Sequence, residues 1–251
     1  MSIPDSNSVP AQPRRFVTTC WSVVLRAGAN PSDEARQALT ELTHSYWYPL
    51  YAFARLQGNG EHDAMDLTQS FFAYLLDGNA LGAVSPERGR FRSFLLAVFK
   101  NFMANQRRAA GTIRRGGAVS TLSLTTDDFE TRFAQEPFHN ETPEVCFQRS
   151  WGEALLKKVR QHLEADYQQA GKLELFTLLE PHLSQRADML PRGEIGQRLN
   201  LSSAAVAMSI HRMRRRYGEL LRQEVAATVD DPADVDDELR TLISIMGRPS
   251  R

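Results

Sequence analysis

The chain has 251 residues, room for one large domain or two small ones, and 42% of them are hydrophobic, enough to build a core. Its two cysteines, Cys20 and Cys146, lie far apart with no metal-ligand spacing, which argues against a disulfide framework and a cysteine zinc site. No apolar run approaches the ~20 residues of a membrane span, and the N-terminus lacks the apolar core of a signal peptide, so the expectation is a cytoplasmic protein with no cofactor and no metal.

Formal net charge is zero, with 30 basic and 30 acidic residues, but the charges are segregated. Arg88 to Gly116 holds eight basic residues and no acid; Arg192 to Arg222 holds seven arginines against Glu194 and Glu219. Two acidic runs cancel them: Asp127 to Glu144 has six acids and one arginine, and Glu224 to Arg240 has seven and one. Segregation of this kind predicts separate surfaces for separate partners.

Residues 1–15 read as a disordered leader, rich in proline and serine. Helical spacing then dominates, and the fold class expected is all-α. A first helix is predicted from Asp33 to Gln57, with Leu39, Leu42, Tyr46, Leu50 and Phe53 on one stripe and Pro49 as a kink, ended by Gly58-Asn59-Gly60. A second runs from His62 to Asp77; Leu67, Phe71 and Leu75 face inward, and Asp63, Asp66 and Ser70 share another face. A third begins near Phe91, with Phe91, Phe94, Leu95, Val98, Phe99 and Phe102 as its apolar face. Residues 111–142, with Gly116-Gly117 and the first acidic run, read as a flexible linker. Thr142 caps a helix opened by Pro143, with Phe147, Trp151, Leu155, Leu156, Val159 and Leu163 at helical steps. A short helix at Leu173–Leu179 follows.

Next comes a helix-turn-helix pattern: a short helix to Leu199, a turn at Asn200-Leu201, an N-cap at Ser202, and a long basic helix to about Glu224. Ile195, Leu199, Leu201, Val206, Ile210 and Met213 are the expected shared core. Ser202 and Ser203 stand where helix N–H groups favour phosphate, and His211, Arg212, Arg214, Arg215 and Arg216 follow. In the first basic block the phenylalanines are read as core, and its basic residues with Asn101 and Asn105 as nucleic-acid contacts. No His-Glu-x-x-His pattern, glycine-rich phosphate loop or nucleophile arrangement is present, so catalysis is not expected.

Three stretches resemble the extracytoplasmic-function subfamily of bacterial RNA polymerase sigma factors. Asp63-Ala-Met-Asp66-Leu-Thr-Gln69 resembles the family's acidic region 2 helix, with Met65 in place of a common Glu. Pro86 to Leu96, with Lys100-Asn101 and Asn105 to Arg108, resembles its promoter-melting segment. Glu194 through Arg216 resembles its region 4 helix-turn-helix, although Ala207 and Ser209 replace common basic residues. The resemblance implies two small helical domains, a region 2 bundle of three or four helices at 16–110 and a region 4 domain at 143–225, joined by the acidic linker; the tail at 226–251 is additional to the family pattern. It also implies roles. Asp63, Asp66, Gln69 and Ser70 would bind the β′ clamp helices of core polymerase. Arg88, Arg90, Arg92, Lys100, Asn101, Asn105, Arg107 and Arg108 would engage the −10 element. Ser202, Ser203, Ala207, Met208, His211, Arg212 and Arg215 would read the −35 element, with the β flap, an anti-sigma factor or a regulatory kinase as further partners.

A stand-alone helix-turn-helix regulator is the alternative; it needs neither the acidic helix nor the −10-like block. A helical metal-dependent enzyme using Asp63 and Asp66 is a third reading. In the tail, Val235, Leu239, Leu242, Ile243 and Met246 predict a short amphipathic helix. Its acids either approach Arg214, Arg215 or Arg216 and compete with phosphate, or its apolar face simply completes the core.

Overall fold

A computed structural model describes residues 33–76, 90–110, 127–136, 141–184 and 189–247, and every regular element among them is helical. The leader, Arg88 and residues 111–126 lie outside the described residues.

Helix α1 (Asp33–Leu56) runs through Pro49. Of its predicted stripe, Leu42, Tyr46, Leu50 and Phe53 are buried, but so are Trp47, Tyr48, Tyr51, Ala52 and Ala54, while the burial of Leu39 lies outside the described residues. A helix covered on so many sides is a central helix, not a surface one. Gly58, at φ 87°, turns the chain into α2 (Glu61–Leu76), whose first turn carries Glu61 and Asp63 where the helix dipole favours acids. Helix α3 (Phe91–Ala110) closes the first layer. The ring of Phe99 meets Phe71 edge-on at 4.9 Å and Phe53 at 6.2 Å, and Trp47 stacks on Phe72 at 5.5 Å. The four phenylalanines of the first basic block are therefore core or half-buried.

The expected linker contains a helix, α4 (Asp127–Gln135). Phe129 and Phe133, one helical turn apart, pack against the rings of Tyr48 and Tyr51. Glu130 accepts from Arg55 Nη2 at 2.7 Å and Nε at 3.1 Å, and the Arg132 guanidinium lies 3.7 Å above the Tyr48 ring. The reading of 111–142 as flexible throughout is corrected for this stretch: paired phenylalanines and charges with partners on α1 dock it.

Helix α5 (Pro143–Gln169) begins as predicted, with the Thr142 hydroxyl accepting from the Val145 N–H. Its buried face, Phe147, Trp151, Leu155, Val159 and Leu163, lies partly along α1, and the Trp151 indole N–H donates to the Tyr46 hydroxyl at 3.1 Å. Helices α6 (Leu173–Leu179), α7 (Arg192–Leu199) and α8 (Ser203–Ala226) follow. The tail forms α9 (Val235–Met246), with Val235, Leu242 and Ile245 buried against α5 and α8. Gly152 admits it: a Cβ there would stand 2.8 Å from the Met246 sulfur. Buried residues from α1 to α9 form one contiguous cluster, in place of two separate cores.

Candidate nucleic-acid interface

The helix-turn-helix is built from two backbone requirements. Asn200 adopts the left-handed conformation (φ 53°), and the Leu201 N–H returns to the Gly196 carbonyl at 2.8 Å. A Cβ on Gly196 would meet the Leu201 carbonyl oxygen at 2.5 Å, so only glycine fits the turn. The Ser202 hydroxyl then accepts from the Ala205 N–H at 3.1 Å and opens α8. Ile195, Val206, Ile210 and Met213 are buried between α7 and α8, with Leu199 half-buried. Leu201 departs from its expected core place: it is 39% exposed, because its backbone makes the turn and its side chain points outward.

The exposed face of α8 carries Ser203, Ala204, Met208, His211, Arg212 and Arg215, and Met208 is 60% exposed. Ala207 is half-buried. The arginines divide by task. Arg214 Nη2 donates to the His182 carbonyl at 2.7 Å, and Arg216 pairs with Asp166 of α5 at 2.7 Å; these two fasten the helix to α5 and to the turn after α6. Among the described residues Arg215 pairs only with exposed Glu219 on its own helix, and Arg212 makes no ion pair. Two residues that the sequence reading counted in the basic block but assigned no role, Arg192 and Arg198, are exposed on α7. Their position on the first helix of the motif, which crosses the DNA backbone in such folds, was the available signal.

On α3 the expected contacts separate. Asn101, Asn105, Arg107 and Arg108 are exposed along its C-terminal half. Lys100 is exposed but pairs with Glu144, holding that carboxyl below its ordinary range. Arg90 is half-buried against Asp237 and Glu238. Arg92 is corrected as a DNA contact: its side chain is 3% exposed, bonded to Glu238 at 3.0 Å and stacked 4.5 Å over the Trp151 ring. Arg92 shares the basic block and the implied −10 role of Arg88 and Arg90, but its place on α3 turns it toward Trp151 of α5.

On α2, Asp63 and Asp66 are exposed on the face opposite Ala64, Phe71, Phe72 and Leu75, while Gln69 and Ser70 are half-buried. Between α2 and α4, Glu61, Glu130, Thr131, Ala134 and Gln135 line a shallow open groove of about 550 Å³. Among the described residues no three His, Cys, Asp or Glu side chains converge as metal ligands, and no helix is long and apolar enough to cross a membrane. No protein-family model matches the chain, and no curated protein or solved structure matches it either.

Proposed function

We propose that this protein is a sigma factor: it docks on core RNA polymerase in the cytoplasm, engages the −10 and −35 promoter elements and initiates transcription. The observation that carries the reading is the exposed face of α8, where Ser203 at a capped helix N-terminus is followed by exposed His211, Arg212 and Arg215 beyond a tight glycine turn. This is the geometry with which a recognition helix enters the major groove. The exposed carboxylates of α2 suit a basic polymerase surface, and the amides and arginines late in α3 suit an opened strand.

The stand-alone regulator remains the second reading, because one continuous core favours a body that acts as a unit. Run-off transcription with core polymerase on a promoter library decides between them. Promoter-specific transcripts that need this chain support the sigma reading. Duplex binding without polymerase association or transcripts supports the regulator.

A further inference from the structure

Five histidines lie among the described residues, and four of them, His44, His62, His162 and His211, are exposed. His182 is 6% exposed. It closes the tight helical turn Glu180–His182 that follows α6, and it reaches both helices of the helix-turn-helix. Its carbonyl accepts from Arg214 Nη2 of α8 at 2.7 Å. Its imidazole is hydrogen-bonded to the backbone of Leu190, the residue before Pro191, where α7 is capped. The turn is a fixed footing: the Leu183 N–H returns to the Glu180 carbonyl at 2.9 Å, and Phe176 and Leu179 just before it are buried. One residue thus holds the entry of α7 and the middle of α8.

This contact depends on a proton. A ring N–H that donates to the Leu190 backbone leaves the second nitrogen, Nε2, which is buried with no hydrogen-bond partner. A proton added there makes a buried cation whose N–H has no acceptor, at a cost water would not impose. The charges that face the imidazole oppose that proton further: Arg214 from α8 and Arg192 from α7 are both positive. Glu180, the carboxylate of the same turn, acts instead on the Tyr217 hydroxyl of α8. Burial holds the imidazole below its ordinary 6.5 against the pull of the Leu190 bond, and the two arginines add to the effect.

We propose that His182 is a positioning residue for the helix-turn-helix and aims α8 only as a neutral imidazole: a proton on Nε2 expels the ring and loosens Arg214, so sequence reading by α8 is lost in acid. The consequence for DNA rests on α8 being the recognition helix, which the sigma and regulator readings share. Below 6.5 the folded chain binds fewer protons here than the unfolded chain, so the hold on α8 is complete above that value and weakens as pH falls below it. Protonation of His211, exposed on the DNA face of α8, would act with the opposite sign by adding positive charge against phosphate.

The test measures binding of the full chain to a duplex selected from a random pool at pH 7.5, and to a scrambled copy of it, at pH 7.5 and pH 5.5 and constant ionic strength. The wild-type preference for the selected duplex is expected to fall several-fold at pH 5.5, and by less than the ~10-fold that a histidine of ordinary pKa would give. His182→Gln, which cannot gain the charge, should bind more weakly than wild type at pH 7.5 and lose no further preference at pH 5.5. If that variant fails to fold, the wild-type imidazole carries the test by nitrogen-15 resonance: Nε2 should titrate below 6.5, and the amides of 203–216 should shift with the same midpoint. A histidine that only fills space would move neither the preference nor those amides with pH. The aiming role is overturned by a wild-type preference that stays flat between the two pH values, by His182→Gln keeping the acid loss, or by a titration that leaves the amides of α8 unmoved. A chain that binds no duplex at either pH would instead sink the DNA reading, and the coupled titration would still decide whether His182 holds α8.

Discussion

Two glycines in one motif carry opposite expectations. At Gly196 an added Cβ lies 2.5 Å from the Leu201 carbonyl oxygen, a backbone atom that cannot swing aside; at Gly218, inside α8, nothing lies within 4 Å. Gly196→Ala should therefore destabilise by about 1–3 kcal/mol through overpacking and loosen the turn that aims α8. Gly218→Ala should stabilise by about 0.5–1 kcal/mol, since alanine is the better helix residue. Urea unfolding of the two variants checks both signs; equal shifts would mean that the turn is not tight. Met208 makes a different prediction. It is a 60% exposed methionine midway along a face otherwise polar and basic, flanked by the Ala204 methyl one turn earlier. Apolar side chains on a recognition helix find one apolar partner in the major groove, the thymine methyl. Burying one methyl contributes ~0.8 kcal/mol, or about fourfold in affinity. Replacing thymine by uracil at a single upstream position should weaken binding by that factor, and Met208→Ala should abolish the difference. Affinity indifferent to uracil at every position would remove Met208 from base readout.

At the scale of elements, α4 is the least anticipated. The Arg132 guanidinium lies on Tyr48 and pairs with both Glu136 and Glu153, so one side chain ties α4 to α1 and α5. Arg132→Ala should cost on the order of 1–2 kcal/mol locally. The amides of 127–135 should exchange faster while those of α1 and α5 keep their protection; uniform acceleration would place α4 in the global core instead. The sequence shows why this helix was hard to see and the others were not. Thr142 before Pro143, Ser202 at an N-cap, and Leu173 to Leu179 ahead of Pro181 are local signals, and each marks an observed boundary. In 127–135 the composition is acidic and polar, and the Phe129–Phe133 pair is too short a stripe to outweigh it. Its stability comes from Tyr48, Tyr51 and Arg55, some eighty residues earlier. The same limit applies to Arg92, whose burial depends on Trp151 and Glu238, and to Leu201, whose exposure follows from a turn made by its backbone. The exposed positions of α8, by contrast, follow from helical periodicity once Ser202 is fixed as the cap.

For the molecule as a whole, two equilibrium properties follow from where charge and aromatic rings are buried. Burial pushes the Glu238 carboxyl above its ordinary value of 4.5, against the pull of Arg92 and Arg90, and pushes Glu153 the same way. A raised folded-state pKa means that the folded chain binds more protons than the unfolded chain between the two values. Stability therefore falls as pH rises through that window and levels off above it. Glu144, held low by Lys100, has the opposite sign: its contribution is present above the ordinary value and lost as pH falls through the lowered one. Glu238→Gln should flatten the decline above pH 4.5 in denaturant unfolding, and an unaltered slope would assign it to other groups. The second property is cooperativity. Tyr46 and Trp151, 1% exposed each, join α1 to α5 through a buried hydrogen bond, and Phe91 lies edge-on to Tyr46 at 5.6 Å. Helices from both halves of the chain therefore share one cluster of rings. Heating should unfold the described helices in one transition. Trp151→Ala removes a large ring from the middle of that cluster together with its hydrogen bond to the Tyr46 hydroxyl, at a cost of ~3–5 kcal/mol. At roughly 2–4 °C per kcal/mol for a chain of this size, the whole transition should drop by about 6–20 °C. Independent halves would behave differently: two transitions would appear, and only the one containing α5 would move. Calorimetry of wild type and Trp151→Ala separates the cases, because a split endotherm with one fixed component is incompatible with a shared core.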